Sequence, residues 1–173
     1  MMIENLIQPI RTSLLALAFS ASMVAAQDLP APTGEVILTI TGTIEKTNAE
    51  GALVLDAALL ASLPQHSFTT STIWTEGTAR YSGVLLRDLL DAIGAKGTTL
   101  TLNALNDYQI SMPAADAQAD GPLIATLANG EPMSVREKGP VWMLFPYDDV
   151  AAYRTEQTYA RSIWQLNRIE ITD

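Results

Sequence analysis

The chain has 173 residues, 19 acidic and 10 basic side chains, one histidine and no cysteine. Without cysteine it is no disulfide scaffold, zinc finger or iron–sulfur protein. A net charge of −9 argues against a polyanionic partner, and 48% hydrophobic residues with 17% charged are too apolar for a disordered chain. Residues 1–26 read as a secretory signal peptide. Arg11 precedes an uncharged stretch from Leu14 to Ala25, and Val24-Ala25-Ala26 places small residues before Gln27. Residues 27–34 are a Pro-containing extended lead-in, and 35–173 form one domain.

Glu35–Ile44 is β-branched and alternating, which predicts a strand. A short helix follows over 56–63, with Asp56 as N-cap and Pro64 as its stop. Ser67–Trp74 predicts a second strand. Val84–Ile93 carries Leu85, Leu86, Leu89, Leu90 and Ile93 at helical spacing, with Ser82 or Gly83 as its cap and Gly94 as its end. Thr98–Leu105 and Tyr108–Met112 predict two strands around an Asn106-Asp107 turn. Pro122–Ala128 leads to the Asn129-Gly130 turn. Val141–Phe145 and Ser162–Ile171 close the domain, separated by a polar excursion over 147–158. The class is α+β, with more strand than helix.

The familiar catalytic constellations are absent from the sequence. His66 is the sole imidazole, and no G-x-S-x-G elbow accompanies it. Glycine-rich phosphate loops are missing too. Asp148-Asp149 lacks the spaced partners of a calcium loop and reads as a solvated turn. Aromatic residues, by contrast, gather at strand ends and turns: Trp74, Tyr108, Trp142, Trp164, and the tyrosines of the polar excursion. Planar heterocycles are commonly held by a stacked ring plus a few polar groups that read the ring edge.

Five segments together resemble the sulfite oxidase-like molybdopterin-binding domain family. Tyr81-Ser82-Gly83-Val84-Leu85-Leu86-Arg87-Asp88-Leu89-Leu90 is similar to its F-x-G-v-p-L-x-d-L-L stretch, and Asn106-Asp107-Tyr108-Gln109-Ile110-Ser111 to its D-G-Y-x-x-S segment. Leu127–Met133 resembles the n-G-e-P-L stretch, and Lys138–Pro146 the h-G-x-P-v-r-l-v-v-P strand. Arg161-Ser162-Ile163-Trp164 resembles the K-S-I-K-W ending. The order of the five is more telling than any one of them. The resemblance implies a strand-rich sulfite oxidase-like fold with a few short helices and a cleft for a pterin.

The departures bear on function. Enzymes of this family hold molybdenum through a cysteine thiolate on the strand before the Y-x-G segment. Here that strand offers Thr70, Ser71 and Thr72, and a hydroxyl is a poor substitute for a soft anionic thiolate. Trp142 stands where the family carries an arginine. The chain therefore most resembles the short periplasmic pterin-binding members, which signal to a membrane-bound cyclic-di-GMP enzyme. That resemblance implies a periplasmic ligand sensor without molybdenum chemistry. It assigns cofactor binding to Trp74, Glu76, Asp107, Tyr108, Lys138, Trp142, Arg161 and Ser162. Trp74 or Tyr108 would stack on the ring, Asp107 or Glu76 would accept from its amino edge, and Arg161 with Ser162 would hold its side chain or a phosphate. A molybdopterin-dependent oxidoreductase domain and an interaction module with an empty cleft are the alternatives.

Overall fold

The computed structural model describes residues 29–173, so the signal-peptide segment and residues 27–28 lie outside it. Ten strands and three helices follow in chain order. They are β1 (Val36–Gly42), β2 (Ala52–Asp56), α1 (Ala57–Ser62), β3 (His66–Ser71), β4 (Thr78–Leu85), α2 (Leu86–Ile93), β5 (Thr99–Ala104), β6 (Gln109–Pro113), β7 (Leu123–Ala128), β8 (Glu131–Pro132), β9 (Trp142–Leu144), α3 (Glu156–Arg161) and β10 (Leu166–Thr172). One sheet has the order β2-β1-β10-β5-β6, and the other the order β3-β4-β7-β8 with β9 also on β7. The β1–β10 pair is parallel and joins the two ends of the domain, Thr39 beside Arg168 and Ile40 beside Ile169. A single core takes side chains from both sheets and from α2. Ile40, Leu53, Leu86, Ile93, Leu102, Ile124 and Ile169 are all fully buried in it. This is the strand-rich α+β architecture that the residue pattern predicts.

Local chemistry explains most element ends. The Asp56 carboxylate accepts from Leu59 N at 2.8 Å and caps α1. Gly94 ends α2 in the left-handed conformation, φ 66°. Asn129 and Gly130, at φ 52° and 86°, make the tight β7–β8 turn.

Four expectations need correction. Residues 84 and 85 belong to strand rather than helix: β4 runs through Leu85, between β3 and β7. Neither Ser82 nor Gly83 caps α2, which has no side-chain cap; Leu86 N instead donates to Pro122 O at 2.9 Å. At Gly83 an added Cβ would lie 2.0 Å from Ile124 O, so glycine there lets β4 and β7 approach across a register shift. The strand predicted to reach Trp74 ends at Ser71, leaving Trp74 in the β3–β4 turn. Within the polar excursion, Thr155 accepts from Thr158 N and starts α3, so the closing strand begins at Leu166 rather than Ser162.

Candidate functional site

The β3–β4 turn positions the central ring. Thr72 Oγ1 accepts from Trp74 N at 3.1 Å and shares a hydrogen bond with Thr75 Oγ1, while Gly77 reverses the chain at φ 66°. The base of this hairpin is stapled to the loop after β9. The Asp148 carboxylate accepts from Ser71 N at 2.6 Å and Ser71 Oγ at 2.8 Å, and Arg154 holds its Oδ1 at 3.2 Å. Those hydrogen bonds from Ser71, with Arg154 beside them, keep the Asp148 carboxyl below the usual carboxylate range.

Trp74 turns its ring edgewise to three others: Trp142 at 5.9 Å, Tyr159 at 5.8 Å and Trp164 at 5.6 Å between centroids. Edge-to-face packing of this kind is the favoured arrangement for aromatic pairs and fixes ring orientation. Around them lies a cavity of about 320 Å³, lined by Trp74, Ala104, Asn106, Tyr108, Tyr159, Ala160, Ser162, Ile163 and Trp164. Tyr108 crosses its mouth, its hydroxyl donating to Ala160 O at 3.1 Å. Asn106 Oδ1 accepts from Tyr108 N at 3.2 Å, which shapes the turn and leaves the amide NH₂ free to donate.

Beneath the cavity a polar network braces the aromatic floor. Trp142 is buried and donates from Nε1 to Ser162 O at 3.1 Å. Ser162 Oγ donates to Thr158 O at 2.7 Å and also meets the Tyr147 hydroxyl. Burial drives the Tyr147 phenol well above the ordinary tyrosine range, so it stays neutral. Lys138 Nζ lies 4.8 Å from the centre of the Trp164 ring and 5.7 Å from that of Trp142.

Of the residues singled out in the sequence, Trp74, Tyr108 and Ser162 line the cavity, and Trp142 and Lys138 sit against its aromatic wall. Ser162 is 2% exposed and its hydroxyl is already engaged, so its part is to brace. Glu76 lies in a neighbouring cleft of about 290 Å³ with Glu131 and Glu137. Asp107 is at φ 64° on the β5–β6 turn and is not among the lining residues. Arg161 is paired with Asp116 at 2.8 Å and does not line the cavity either. Asn106, Tyr159 and Trp164 also line the cavity and are not among the site residues assigned from the sequence. Asn106 stood in the same turn motif, whereas Tyr159 had no signal beyond its ring.

The donor chemistry discriminates between candidate groups. Planar aromatic walls and one free amide suit a small heterocycle, and the volume is near the lower end of the range of about 300–1,000 Å³ for ligand pockets. A molybdenum–thiolate bond does not fit. The chain has no cysteine, and the described residues contain no cluster of three or more His, Asp or Glu that could hold a metal. Thr70, on the strand in question, is buried, and its hydroxyl donates to Ser71 O and accepts from Asp148 N. No cation among the lining residues serves a phosphate.

The family model of the oxidoreductase molybdopterin binding domain matches residues 38–172. Among solved structures, the chain is similar to the sulfane dehydrogenase SoxCD from Paracoccus pantotrophus, with a TM-score of 0.59 and 23% identity. The match covers 79% of this chain and 38% of the other, so the present chain corresponds to well under half of that protein. At this identity the likeness is one of fold. No curated protein matches the chain.

Proposed function

Since this chain belongs to the oxidoreductase molybdopterin binding domain family, we propose that its cavity takes a pterin ring and that its function is recognition of that ligand rather than turnover. One observation carries the reading: a cavity of about 320 Å³ walled by Trp74, Tyr108, Tyr159 and Trp164, in a chain with no thiolate for molybdenum. When bound, a pterin supplies a flat π surface and an edge of amide-like donors and acceptors. The aromatic walls cover the face and exclude water. The Asn106 NH₂ donates to the edge, and Tyr108 bridges the mouth through Ala160 O.

Export to the periplasm is supported by the pattern of Arg11 and the apolar run Leu14–Ala25. No helix among the described residues is long and apolar enough to cross a membrane. Signalling to a membrane-bound cyclic-di-GMP enzyme rests on the resemblance to short periplasmic pterin-binding proteins. A second reading, a molybdopterin-dependent redox domain, is favoured by the family match itself. Two measurements separate the readings. Titration of the purified protein with oxidised and reduced pterins should give saturable quenching of tryptophan fluorescence, lost in Trp74→Ala with circular dichroism unchanged. Elemental analysis of protein from its native host should find no stoichiometric molybdenum. Absence of saturable binding to any pterin overturns the sensor reading, and stoichiometric metal replaces it with the redox one.

A further inference from the structure

In a chain without cysteine, indole and phenol rings are the side chains that a one-electron oxidant attacks first, and rings packed against one another pass the electron vacancy on. The rings of the cavity wall do not stop at the cavity. Trp164 and Trp74 lie 5.6 Å apart between centroids, and Trp74 meets Tyr159 at 5.8 Å. Behind the wall Tyr159 meets the buried Tyr147 at 5.3 Å, Tyr147 meets Phe145 at 6.3 Å, and Phe145 meets Tyr153 at 5.1 Å. Tyr153 is half-buried, and its hydroxyl donates to the exposed Asp120 carboxylate at 2.9 Å. One unbroken series of rings thus joins the cavity to the surface. A side branch from Trp74 through Trp142 to Tyr81 ends in the core.

The two ends of the series differ in charge and in proton chemistry. Loss of an electron leaves a ring positive, and a phenol retains the vacancy when its proton can leave to a base. Lys138 Nζ lies over Trp164 and Trp142, which disfavours positive charge on those rings. The proton of Tyr147 faces no base: Ser162 Oγ donates to Thr158 O, so the Tyr147 hydroxyl donates to Ser162 Oγ, a neutral acceptor. Among the described residues, Tyr153 is the one ring of the series whose hydroxyl donates to a carboxylate. Asp116, also close to Tyr153, is matched by Arg161, and Asp148 next to Tyr147 by Arg154. Neither Lys138 nor Asp120 belongs to an ion pair among the described residues. The unmatched charges are therefore a cation at the cavity end and a carboxylate at the surface end.

We propose that these rings form a one-electron relay that carries oxidising equivalents from the cavity wall to the surface, with Tyr153 and Asp120 as its outlet. A diffusible radical oxidant takes one electron from Trp74 or Trp164 and is itself reduced. Electrons then pass toward the cavity from Tyr159, Tyr147 and finally Tyr153, restoring each earlier ring. Phe145 is harder to oxidise and serves as the packed contact between the last two phenols. Tyr153 gives one electron to the relay and its phenolic proton to Asp120, and becomes a neutral phenoxyl radical. A diffusible one-electron reductant at the surface returns the electron, and Asp120 returns the proton. The aromatic wall survives the cycle unchanged. The assignment is independent of what the cavity binds.

Pulse radiolysis in azide solution tests it, since the azide radical takes one electron from an indole and becomes azide ion. Transient absorption of wild-type protein should show the indolyl radical decaying as a phenoxyl radical rises, at a rate independent of protein concentration. A nitroso spin trap followed by peptide mass spectrometry should place the adduct on Tyr153. Tyr153→Phe should cut the phenoxyl yield several-fold. Asp120→Asn keeps a hydrogen-bond acceptor without the base, so it should slow the transfer several-fold, and Asp120→Glu should restore it. Circular dichroism should be unchanged in all three variants. An indolyl radical that never converts, a transfer rate that scales with concentration, or an adduct on another tyrosine overturns the proposal. A folded Tyr153→Phe variant with undiminished phenoxyl yield, or a folded Asp120→Asn variant with wild-type transfer, overturns it as well.

Discussion

Among the described residues Asn106 supplies the only side-chain amide lining the cavity, and its two ends have different duties. Its oxygen accepts from Tyr108 N and holds the turn, while its NH₂ is free. Replacing Asn106 by Asp keeps the acceptor and removes the donor. Asn106→Asp should therefore weaken pterin binding about tenfold, the loss of about 1.4 kcal/mol that one hydrogen bond left unmade can cost, with the turn intact. Asp107→Asn should leave affinity within a factor of about two, since no hydrogen bond to the cavity is lost. Fluorescence titration of the two variants decides between neighbours that sequence spacing alone does not separate. Both residues are common in turns; only the backbone distinguishes them, with Asp107 in the left-handed conformation and outside the lining. The aromatic residues were easier to read, because few side chains offer a broad rigid face. What their sequence positions did not show was that Trp74 meets Trp142, Tyr159 and Trp164 in one cluster, since those contacts span up to about two thirds of the domain.

Elements whose ends carry their own chemistry are legible: Asp56 before α1, Gly94 after α2, Asn129-Gly130 between β7 and β8. Where a boundary depends on a distant strand, local pattern misleads. Leu85 continues the helical spacing of α2, but β7 claims it through pairing with Leu123. The turn of α3 hides among polar residues because only Thr158 in it is buried. The cap of α1 offers a test at this scale. The Asp56 carboxylate accepts from Leu59 N, Gly34 N and Thr33 N, so it ties the lead-in to the helix as well as capping it. Those backbone donors, Leu59 first, lower its pKa in the folded state. A carboxyl depressed on folding stabilises the protein above its unfolded pKa of about 3.9, and that stabilisation is lost as pH falls through the folded value. Asp56→Ala should accordingly lower the urea midpoint at neutral pH, and the gap to wild type should close as the medium is acidified below the usual carboxylate range. A gap that stays constant with pH would show that packing rather than the ionised carboxylate is responsible.

At the scale of the whole molecule, β10 is the element that no local pattern could place. It is the last strand in sequence yet lies between β1 and β5, parallel to the first and antiparallel to the second. Family resemblance, which carries topology along with motif order, was what made that architecture foreseeable. The same closure brings the β5–β6 turn, the end of α3 and the β3–β4 turn around one cavity, so its lining joins both sheets. Binding must then stabilise the domain globally and not merely one hairpin. With free pterin at about a hundred times Kd, a ligand that binds only the folded state adds about 2.7 kcal/mol. For a domain of this size that raises Tm by roughly 5–10 °C. Differential scanning calorimetry should show this rise with pterin, and molybdate alone should produce none, because the residues lining the cavity include neither a thiolate nor a cation. A transition that splits in two on adding pterin, with only part of the heat moving upward, would mean that the cavity belongs to one sheet and that the two do not unfold together.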